Sequence, residues 1–317
     1  MFRLLWRDTV MRLSDATVFF DEMMAAYLLP DTAYQYLWSK LDVHRTLLKD
    51  EVRVDAFRRA MAEKVRAGDR VLDLGTGTGI LAFLAAKAGA KEVVGVDSAS
   101  IIEVAGRTAG RNGIGNVRFV RSDIRDFNDG KFDCIICELI GMQITDEGMV
   151  YKTREALRLL KEGGTLMPES IEMCIVPVES ADAGLGFWGT LYGIDYSAVE
   201  RVPHEARNYD MSGCRLLSQP QRMFTADLAS KARQRFRYAG EFKIDSDGEF
   251  HGCVVYFNAR LSENVTLTTH PKESQTHWKQ LFLPHDRRLK VKAGDILKAD
   301  VRLVNRDTKW KWKFDLG

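Results

Sequence analysis

A short apolar segment that runs directly into three closely spaced glycines most constrains the fold of this chain. The segment Val71–Leu74 has the length of a buried strand, and it is followed by Gly75, Gly77 and Gly79. Glycines between a strand and a helix allow a tight turn and let a ligand approach the backbone closely. The pattern therefore predicts a strand–loop–helix unit that binds a ligand at its glycine loop.

The same alternation of helix-like and strand-like segments extends over residues 50–167, which predicts an open, doubly wound α/β sheet. Residues 1–49 show helical, amphipathic patterning without a strand pattern. After Pro168 the segments become short and alternating, so residues 168–317 are predicted to form a mainly β domain, either a sheet or a barrel. An aromatic-rich insertion, Gly184–Tyr196, is either core or an interaction surface.

Composition excludes several classes of function. The 317 residues carry 46 Lys and Arg against 44 Asp and Glu, so the total charge implies no nucleic-acid partner. No segment approaches the ~20 apolar residues of a membrane span. Five cysteines, an odd number, fit a reducing, cytoplasmic compartment better than a disulfide framework. Cys134 and Cys137 form a lone C-x-x-C, which we interpret as two buried small side chains and not as a metal site.

The glycine loop differs from a dinucleotide-binding fingerprint, because Ile80 stands where that motif needs glycine. With Asp73 ahead of it, the loop instead resembles motif I of the class I S-adenosylmethionine-dependent methyltransferases. The resemblance implies that Asp97, at the end of the next strand, binds the ribose hydroxyls. It also implies that Asp123 contacts the adenine amino group beside Ile124. Alternatively, Asp73 and Asp123 cap the segments that follow them.

Two glutamates bracket a loop after the apolar segment Phe132–Cys137. Glu138 leaves this predicted strand, and Glu147 returns from the same loop, so together they can hold a cation from two sides. A guanidinium group is protonated at pH 7 and is a poor nucleophile. Two carboxylates that bind its N–H groups draw positive charge onto the nitrogens they hold, and the target nitrogen becomes more nucleophilic. The pair therefore suits methyl transfer to a guanidinium.

Three separated motifs together resemble the protein arginine methyltransferases: the double-glutamate loop, Thr276-His277-Trp278, and the segment from His44 to Arg53. The resemblance implies a Rossmann-like methyltransferase domain, a β-barrel that starts near Pro168, and a helical dimerisation arm at about 184–208, hence a homodimer. S-adenosyl-L-methionine would be the cofactor and S-adenosyl-L-homocysteine the product. Arg53 and His44 would bind the cofactor, and Asp50 would form a proton relay with His277. The implied substrate pocket comprises Tyr34, Trp38, Leu47, Met149 and Trp278.

Departures from the family pattern concentrate around the acceptor. In the double-glutamate loop, Leu139, Ile140, Met142 and Asp146 replace residues that are commonly aromatic or methionine in the family. The leading interpretation is an enzyme that methylates arginine in a protein or peptide. Two alternatives stay open: a small-molecule guanidine or amine N-methyltransferase, and a catalytically inactive scaffold that binds the cofactor as a dimer.

Overall fold

The computed structural model describes residues 31–141, 147–180, 190–196, 198, 206–230, 236–304 and 309–317, without the side chains of residues 31–34 and 304. Seven helical segments lie in the first half of this range. They are α1 (Asp31–Trp38), α2 (Leu41–Lys49), α3 (Glu51–Lys64), α4 (Ile80–Lys87), α5 (Ile102–Arg111), α6 (Met149–Ala156) and a 3-10 turn (Leu157–Leu159). Of the predicted N-terminal segment, residues 31–49 form α1 and α2, and residues 1–30 lie outside the described part.

Five parallel strands form the sheet of the first half. They are β1 (Arg70–Leu74), β2 (Glu92–Asp97), β3 (Val117–Arg121), β4 (Phe132–Cys137) and β5 (Leu160–Met167), in the order β3-β2-β1-β4-β5. Helices cover both faces, so the central strands are almost continuously apolar and buried. The chain leaves β1 toward β2 and returns on its other side as β4. This reversal opens a crevice at the carboxyl ends of β1 and β4, where such sheets bind ligands.

The second half is built from antiparallel strands. They are β6 (Ser170–Glu179), β7 (Thr190–Leu191), β8 (Ile194–Asp195), β9 (Arg207–Tyr209), β10 (Arg215–Leu216), β11 (Gln221–Asp227), β12 (Arg237–Lys243), β13 (Gly248–Arg260), β14 (Thr266–Thr268), β15 (Gln280–Val291), β16 (Ile296–Val304) and β17 (Lys309–Leu316). A seven-stranded sheet is centred on β6, β13 and β15, and β12, β16 and β17 form a second sheet. Within the described residues no ladder joins the two sheets, so the predicted barrel-like domain is not a closed barrel.

The two halves share one hydrophobic core and are joined by polar contacts. A cis peptide bond, Met167–Pro168, leads directly from β5 toward β6. The hydroxyl of Ser262 donates a hydrogen bond to Glu63 across 2.6 Å. The carboxylate of Glu169 lies 3.6 Å from Nζ of Lys64 and 3.4 Å from Nε of Arg260. Helix α3, which borders the crevice, is therefore anchored against the β domain.

The α/β sheet predicted from the sequence is confirmed, and most differences are at element ends. Helix α6 ends at Ala156, because the chain tightens into a 3-10 turn at Leu157. The described part of the predicted helical arm is a two-stranded hairpin, β7 and β8, and the rest of that segment lies outside the described residues, except for residue 198 and residues 206–208. No helix in the described ranges has the length and apolar character needed to cross a membrane.

Burial of the central strand gives a stability prediction. Ile135 is fully buried in β4 and lies between Leu72 of β1 and Leu166 of β5. Replacing it by alanine should lower the free energy of unfolding by about 2–5 kcal/mol, because the cavity cannot collapse between two paired strands. Chemical denaturation measures the change. Arg107→Ala on the exposed face of α5 is the control and should change it by less than about 0.5 kcal/mol; an equal effect of both would contradict the packing argument.

Candidate active site

A cavity of about 110 Å³ lies at the carboxyl ends of the parallel strands, beneath α1 and α2. Its walls come from the loops after β1, β2, β3 and β4, from the first helices, and from the segment before β15. The lining residues include Gln35, Trp38, His44, Thr46, Leu47, Arg53, Gly75, Thr76, Gly77, Thr78, Asp97, Ser98, Ser122, Asp123, Ile124, Glu138, Leu139, Ile140, Glu147, Lys152 and His277. The cavity therefore lies at the crevice that the strand order creates.

The glycine loop needs glycine for two separate reasons. Gly75, Gly77 and Gly79 have φ angles of 76°, 53° and 88°, in the left-handed region where side chains are strained. A methyl group would also collide with its neighbours: at Gly75 it would lie 2.5 Å from Leu139, and at Gly77 it would lie 2.8 Å from His44. The third glycine is different, since a methyl there would meet the packed rings of Phe119 and Phe83. Gly75 and Gly77 line the cavity, whereas Gly79 permits close packing behind it.

His44 of α2 covers the glycine loop and lines the cavity. Its Nε2 lies 2.8 Å from the carbonyl oxygen of Trp38, which can only accept, so Nε2 carries a hydrogen. Burial lowers the pKa of His44, against the opposing effects of this hydrogen bond and of Asp97. The ring is therefore neutral at pH 7, and Nδ1 is an acceptor beside Gly77.

Asp97 ends β2 and points into the cavity while it organises the loops around it. One carboxylate oxygen accepts a hydrogen bond from the backbone N–H of Gly77 at 2.9 Å, and the other accepts from Ala99 at 2.8 Å. Each oxygen keeps a further lone pair. A diol that donates two hydrogen bonds would find both acceptors already held in place.

Asp73 lies beneath the glycine loop and does not line the cavity. Its Oδ2 accepts from the Thr76 hydroxyl at 2.6 Å and from the backbone N–H of Ala82 at 3.0 Å, while Oδ1 is buried without a partner. Burial raises its pKa to about 6, although both hydrogen bonds act in the opposite direction. These two hydrogen bonds fit the interpretation that Asp73 caps the following segment, and its role as a cofactor ligand stays a prediction.

Asp123 lines the cavity after β3, but its carboxylate is engaged. Arg125 binds it through Nε at 2.9 Å and a second guanidinium nitrogen at 2.9 Å, which together lower the pKa of Asp123. The next residue, Ile124, adds an apolar wall. Its carbonyl accepts from the Arg158 guanidinium at 2.7 Å, so the loop is held from the opposite side as well.

The first glutamate of the pair is bound by an arginine from the N-terminal side of the chain. Nε of Arg53 donates to Glu138 Oε2 at 2.6 Å, and a terminal nitrogen of Arg53 contacts the same oxygen. The backbone N–H of Ile140 donates to the other oxygen, Oε1, at 3.2 Å. Glu147 is also buried at the cavity, whereas residues 142–146 between them lie outside the described part. Both carboxylates therefore face one space.

Asp50 and His277 meet across 227 positions of sequence. Oδ2 of Asp50 lies 2.7 Å from Nδ1 of His277 and also accepts from the His277 backbone N–H at 2.9 Å. Burial by itself would raise the pKa of Asp50, but these hydrogen bonds and one from the backbone of Arg53 outweigh it and hold the pKa below its usual value. The ionised carboxylate orients the imidazole, which lines the cavity, while Asp50 itself stays behind it.

Two of the predicted pocket residues, Trp278 and Met149, do not line the cavity. Trp278 is buried, packs edge-on against Phe257, and donates its indole N–H to the carbonyl of Ile140 at 2.7 Å. Met149 is buried at the start of α6. Trp278 therefore holds the double-glutamate loop from outside the cavity. The side chain of Tyr34, also predicted for this pocket, lies outside the described part.

Several cavity residues escaped the sequence analysis. Ser98 and Ser122 directly follow β2 and β3, so their positions at strand ends were a usable signal. Thr76 and Thr78 lie within the glycine loop itself. Lys152, five residues after Glu147 on α6, brings a cation to the cavity, and no spacing pattern marks it. The two cysteines of the C-x-x-C are buried, and burial raises the pKa of each to about 12.

Comparison with known proteins agrees with this geometry. A sequence profile described as the arginine methyltransferase oligomerization subdomain matches residues 169–316, and one described as a methyltransferase domain matches residues 66–182. Protein arginine N-methyltransferase 1 of Saccharomyces cerevisiae is 30% identical over 278 residues, covering 82% of this chain and 79% of that protein. The protein of the same name from Dictyostelium discoideum is 29% identical over 300 residues, covering 88% of each.

Solved structures show the same fold. The Trypanosoma brucei PRMT1 enzyme–prozyme heterotetrameric complex with AdoHcy superimposes with a TM-score of 0.76 at 22% identity, covering 88% of this chain and 95% of that one. Arabidopsis thaliana Protein Arginine Methyltransferase 10 superimposes with a TM-score of 0.78 at 22% identity, covering 89% and 94%. The α/β sheet and the β domain therefore recur together in both neighbours.

Asp73 makes the stability of the fold depend on pH in a defined direction. Its pKa of about 6 exceeds its ordinary value of 3.8, so the native state resists ionisation of this group, and stability is lost as the pH rises from about 4 through about 6. Asp73→Asn keeps an acceptor but cannot ionise. The unfolding free energy of the variant relative to the native protein should rise by up to about 3 kcal/mol over this interval.

Denaturant titrations at pH 4, 5, 6 and 7 measure this difference. Asp126→Asn, at an exposed carboxylate, controls for the loss of one acid. A difference between Asp73→Asn and the native protein that stays constant with pH would contradict the raised pKa.

Proposed function

Because the chain belongs to the protein arginine N-methyltransferase family, we propose that it transfers a methyl group from S-adenosylmethionine to a guanidinium nitrogen of arginine in proteins. The observation that carries the proposal is the convergence of two buried carboxylates, Glu138 and Glu147, with His277 on one cavity at the glycine loop. The family resemblance of three distant motifs thus corresponds to one continuous site.

The residues present fit S-adenosylmethionine. Asp97 offers two oriented acceptors for a ribose diol, Asp123 and Ile124 border the adenine side, and Arg53 offers a guanidinium for a carboxylate. Gly75 and Gly77 line the cavity, and the close approach of Leu139 and His44 to them needs the absence of a side chain at both positions. When bound, this cofactor supplies an electrophilic methyl group on a positively charged sulfur.

The two glutamates bind and polarise the acceptor. A guanidinium presents N–H donors in one plane, and two carboxylates can accept from them while a third nitrogen keeps its lone pair toward the donor. Arg53 and the Ile140 backbone fix Glu138 by its two oxygens, so little reorganisation is needed when the acceptor enters. Burial of Glu147 excludes water and strengthens the attraction for the cation.

Methyl transfer leaves a surplus proton on the product nitrogen. His277 is placed to take it: with Nδ1–H held by the Asp50 carboxylate, Nε2 is the ring nitrogen left to accept a proton. Asp50 stabilises the imidazolium that results, because its pKa is held low and it stays ionised. We assign Asp50 as a positioning residue and His277 as the proton acceptor.

We extend the proposal to organisation and compartment. The chain divides into a cofactor-covering segment over residues 1–49, the methyltransferase domain over 50–167 and the substrate domain over 168–317. The parallel sheet that ends at Met167 and the family profile that begins at 169 support this division. All five cysteines are buried free thiols, which supports a reducing, cytoplasmic environment.

Replacement of either glutamate tests the mechanism. Glu147→Gln should lower kcat for methyl transfer by at least about 100-fold, because the amide cannot balance the guanidinium charge. Affinity for S-adenosylmethionine, measured by calorimetry, should stay within about threefold for Glu147→Gln. It should change more for Glu138→Gln, whose side chain holds Arg53.

Glu103→Gln on α5, away from the cavity, is the matched control. Full turnover in Glu138→Gln or Glu147→Gln would contradict the proposal that the two glutamates hold the acceptor. Binding of S-adenosylmethionine by the native protein without any methyl transfer would favour the catalytically inactive scaffold.

The acceptor is identified by labelling. Incubation with methyl-labelled donor and arginine-rich protein or peptide, followed by hydrolysis of the labelled protein, should yield methylarginines. Label confined to free arginine or guanidino metabolites would favour the small-molecule alternative. Label on lysine or oxygen sites would overturn the guanidinium assignment.

A homodimer is the assembly that the hairpin β7–β8 supports. Tyr192 is fully exposed, and Ile194 and Tyr196 are 57% and 37% exposed. Tyr192 also has a φ of 55°, followed by Gly193 at 79°, so the turn holds a large aromatic residue in the strained left-handed region at its tip. An exposed, strained aromatic tip is a feature that burial against a second copy would explain.

The dimer has its own test. Replacing Tyr192 and Ile194 together by aspartate should convert the protein to a monomer in analytical ultracentrifugation, because two charges would be buried at the contact. Lys298→Asp on the outer face of β16 is the control and should leave the mass unchanged. A native protein that sediments as a monomer at micromolar concentration would contradict the proposal.

A further inference from the structure

The three-stranded sheet of β12, β16 and β17 carries a row of three neighbouring cations. Arg237 of β12 lies directly opposite Arg302 of β16, which in turn lies opposite Lys311 of β17. Like charges directly opposite each other on neighbouring strands destabilise a sheet. The row therefore destabilises the fold of the isolated chain, and the presence of these cations needs a reason other than folding stability.

Nearby acids compensate only part of this charge. Arg237 pairs with Asp300 at 2.8 Å, and Lys313 pairs with Asp315 at 2.6 Å. Within the described residues, no carboxylate lies within ion-pair distance of Arg302, Lys311 or the neighbouring Arg287. These three cations line the same groove as Asp286, Asp300 and Asp315, which lie at ion-pair distance from His285, Arg237 and Lys313, respectively. Arg287, Arg302 and Lys311 are therefore the cations left to meet an anion bound there.

The lysines of β17 have one simpler explanation, which covers only part of the pattern. Lysines on an edge strand discourage pairing with other proteins, and β17 is an edge strand with Lys309, Lys311 and Lys313 on its outer face. Arg302, however, lies on the central strand of the sheet, between two other cations. Edge protection does not explain a cation at that position.

The groove lies along an unpaired strand edge. Its volume is about 740 Å³, and it runs between β17 and the part of β15 around Pro284–Arg287. Within the described residues β17 pairs with β16 alone, so its other edge offers backbone N–H and C=O groups. One contact spans the groove, the indole N–H of Trp312 donating to the carbonyl of Pro284 at 2.8 Å. The groove therefore lies in the gap between the seven-stranded sheet and the three-stranded sheet.

We propose that this groove binds an extended, acidic segment of a partner protein as an added strand on β17. Residues of β17 alternate strictly, with lysines outward and Trp310, Trp312 and Phe314 on the other face. A segment that alternates acidic and apolar residues would place its acids opposite the lysines of β17, with Arg302 on the next strand of the sheet. Its apolar residues would lie on the aromatic side.

A protein segment fits this groove better than a nucleic acid does. A strand edge recognises peptide N–H and C=O groups, which nucleic acids lack. Single-stranded nucleic acids are held by stacking on exposed rings, whereas here two aromatic residues are buried and the indole N–H of Trp312 is bonded to Pro284. Charge complementarity and edge geometry therefore point to the same acidic, extended partner.

Fluorescence anisotropy with labelled ten-residue peptides tests the proposal on the full chain. An alternating Glu-Val peptide should bind saturably, and binding should weaken with salt. The double variant Arg302→Gln, Lys311→Gln should weaken it about tenfold or more, since the groove loses the cation opposite the added strand and a second cation on the next strand. Lys298→Gln, on the same face of β16 but outside the groove, should change it less than twofold.

Two further peptides separate strand addition from simple charge attraction. A peptide with five glutamates followed by five valines has the same composition without the alternation, and one with proline in place of valine lacks the backbone N–H donor at every second residue. Both should bind at least about tenfold more weakly than the alternating peptide. Equal binding by either one, or no saturable binding by the alternating peptide, would overturn strand addition.

Two more measurements bear on the premise. A uridine oligonucleotide that binds more tightly than the peptide and depends on Arg302 and Lys311 would overturn the assignment to protein. Arg302→Gln should raise the melting temperature of the free protein, because it relieves the repulsion in the row; a melting temperature equal to or below that of the native protein would remove the premise. Methyl transfer to arginine should be unchanged in every groove variant.

Discussion

One buried carboxylate, Asp50, connects the parts of the site that come from opposite ends of the chain. One of its oxygens caps α3 by accepting the backbone N–H of Arg53 at 2.9 Å, and the other binds both the backbone and the ring of His277. Removing a charge from water is costly, and such a group persists only when hydrogen bonds satisfy it. The three N–H donors that satisfy Asp50 come together only when the β domain, which carries His277, packs against the N-terminal helices.

The position of Arg53 follows from that cap, and the position of Glu138 follows from Arg53. An α-helix that begins at Glu51, directly after the Asp50 cap, projects the side chain of its third residue, Arg53, toward the end of β4, where Glu138 leaves the sheet. The guanidinium neutralises one of two carboxylates that would otherwise repel each other in a buried cavity. Arg53 therefore neutralises Glu138, and the site can still bind the positively charged guanidinium of the substrate.

The sequence predicted the α/β sheet well because its physical cause is local. Buried parallel strands are continuously apolar, and left-handed loop positions call for glycine, so both leave clear marks along the chain. Asp73 illustrates the limit: its spacing suited a ligand, but whether a carboxylate faces the cavity or lies beneath the loop depends on the Thr76 and Ala82 contacts, which spacing does not encode. Lys152 illustrates it again, because a single cation on a helix has no pattern until the helix is placed.

Contacts made by the backbone explain why the family's chemistry is retained while the residues around the acceptor differ. At Ile140, the N–H orients Glu138 and the carbonyl receives the indole of Trp278, and neither bond depends on the side chain. At Leu139, the side chain fills the space above Gly75, a task that needs bulk rather than a particular aromatic ring. Substitutions at these positions can therefore reshape the rim that an acceptor meets while the carboxylate that binds it stays in place. Side chains at the rim determine which acceptor is selected, whereas backbone contacts support the carboxylate that takes part in methyl transfer. Selectivity for the acceptor can therefore change while methyl transfer is retained.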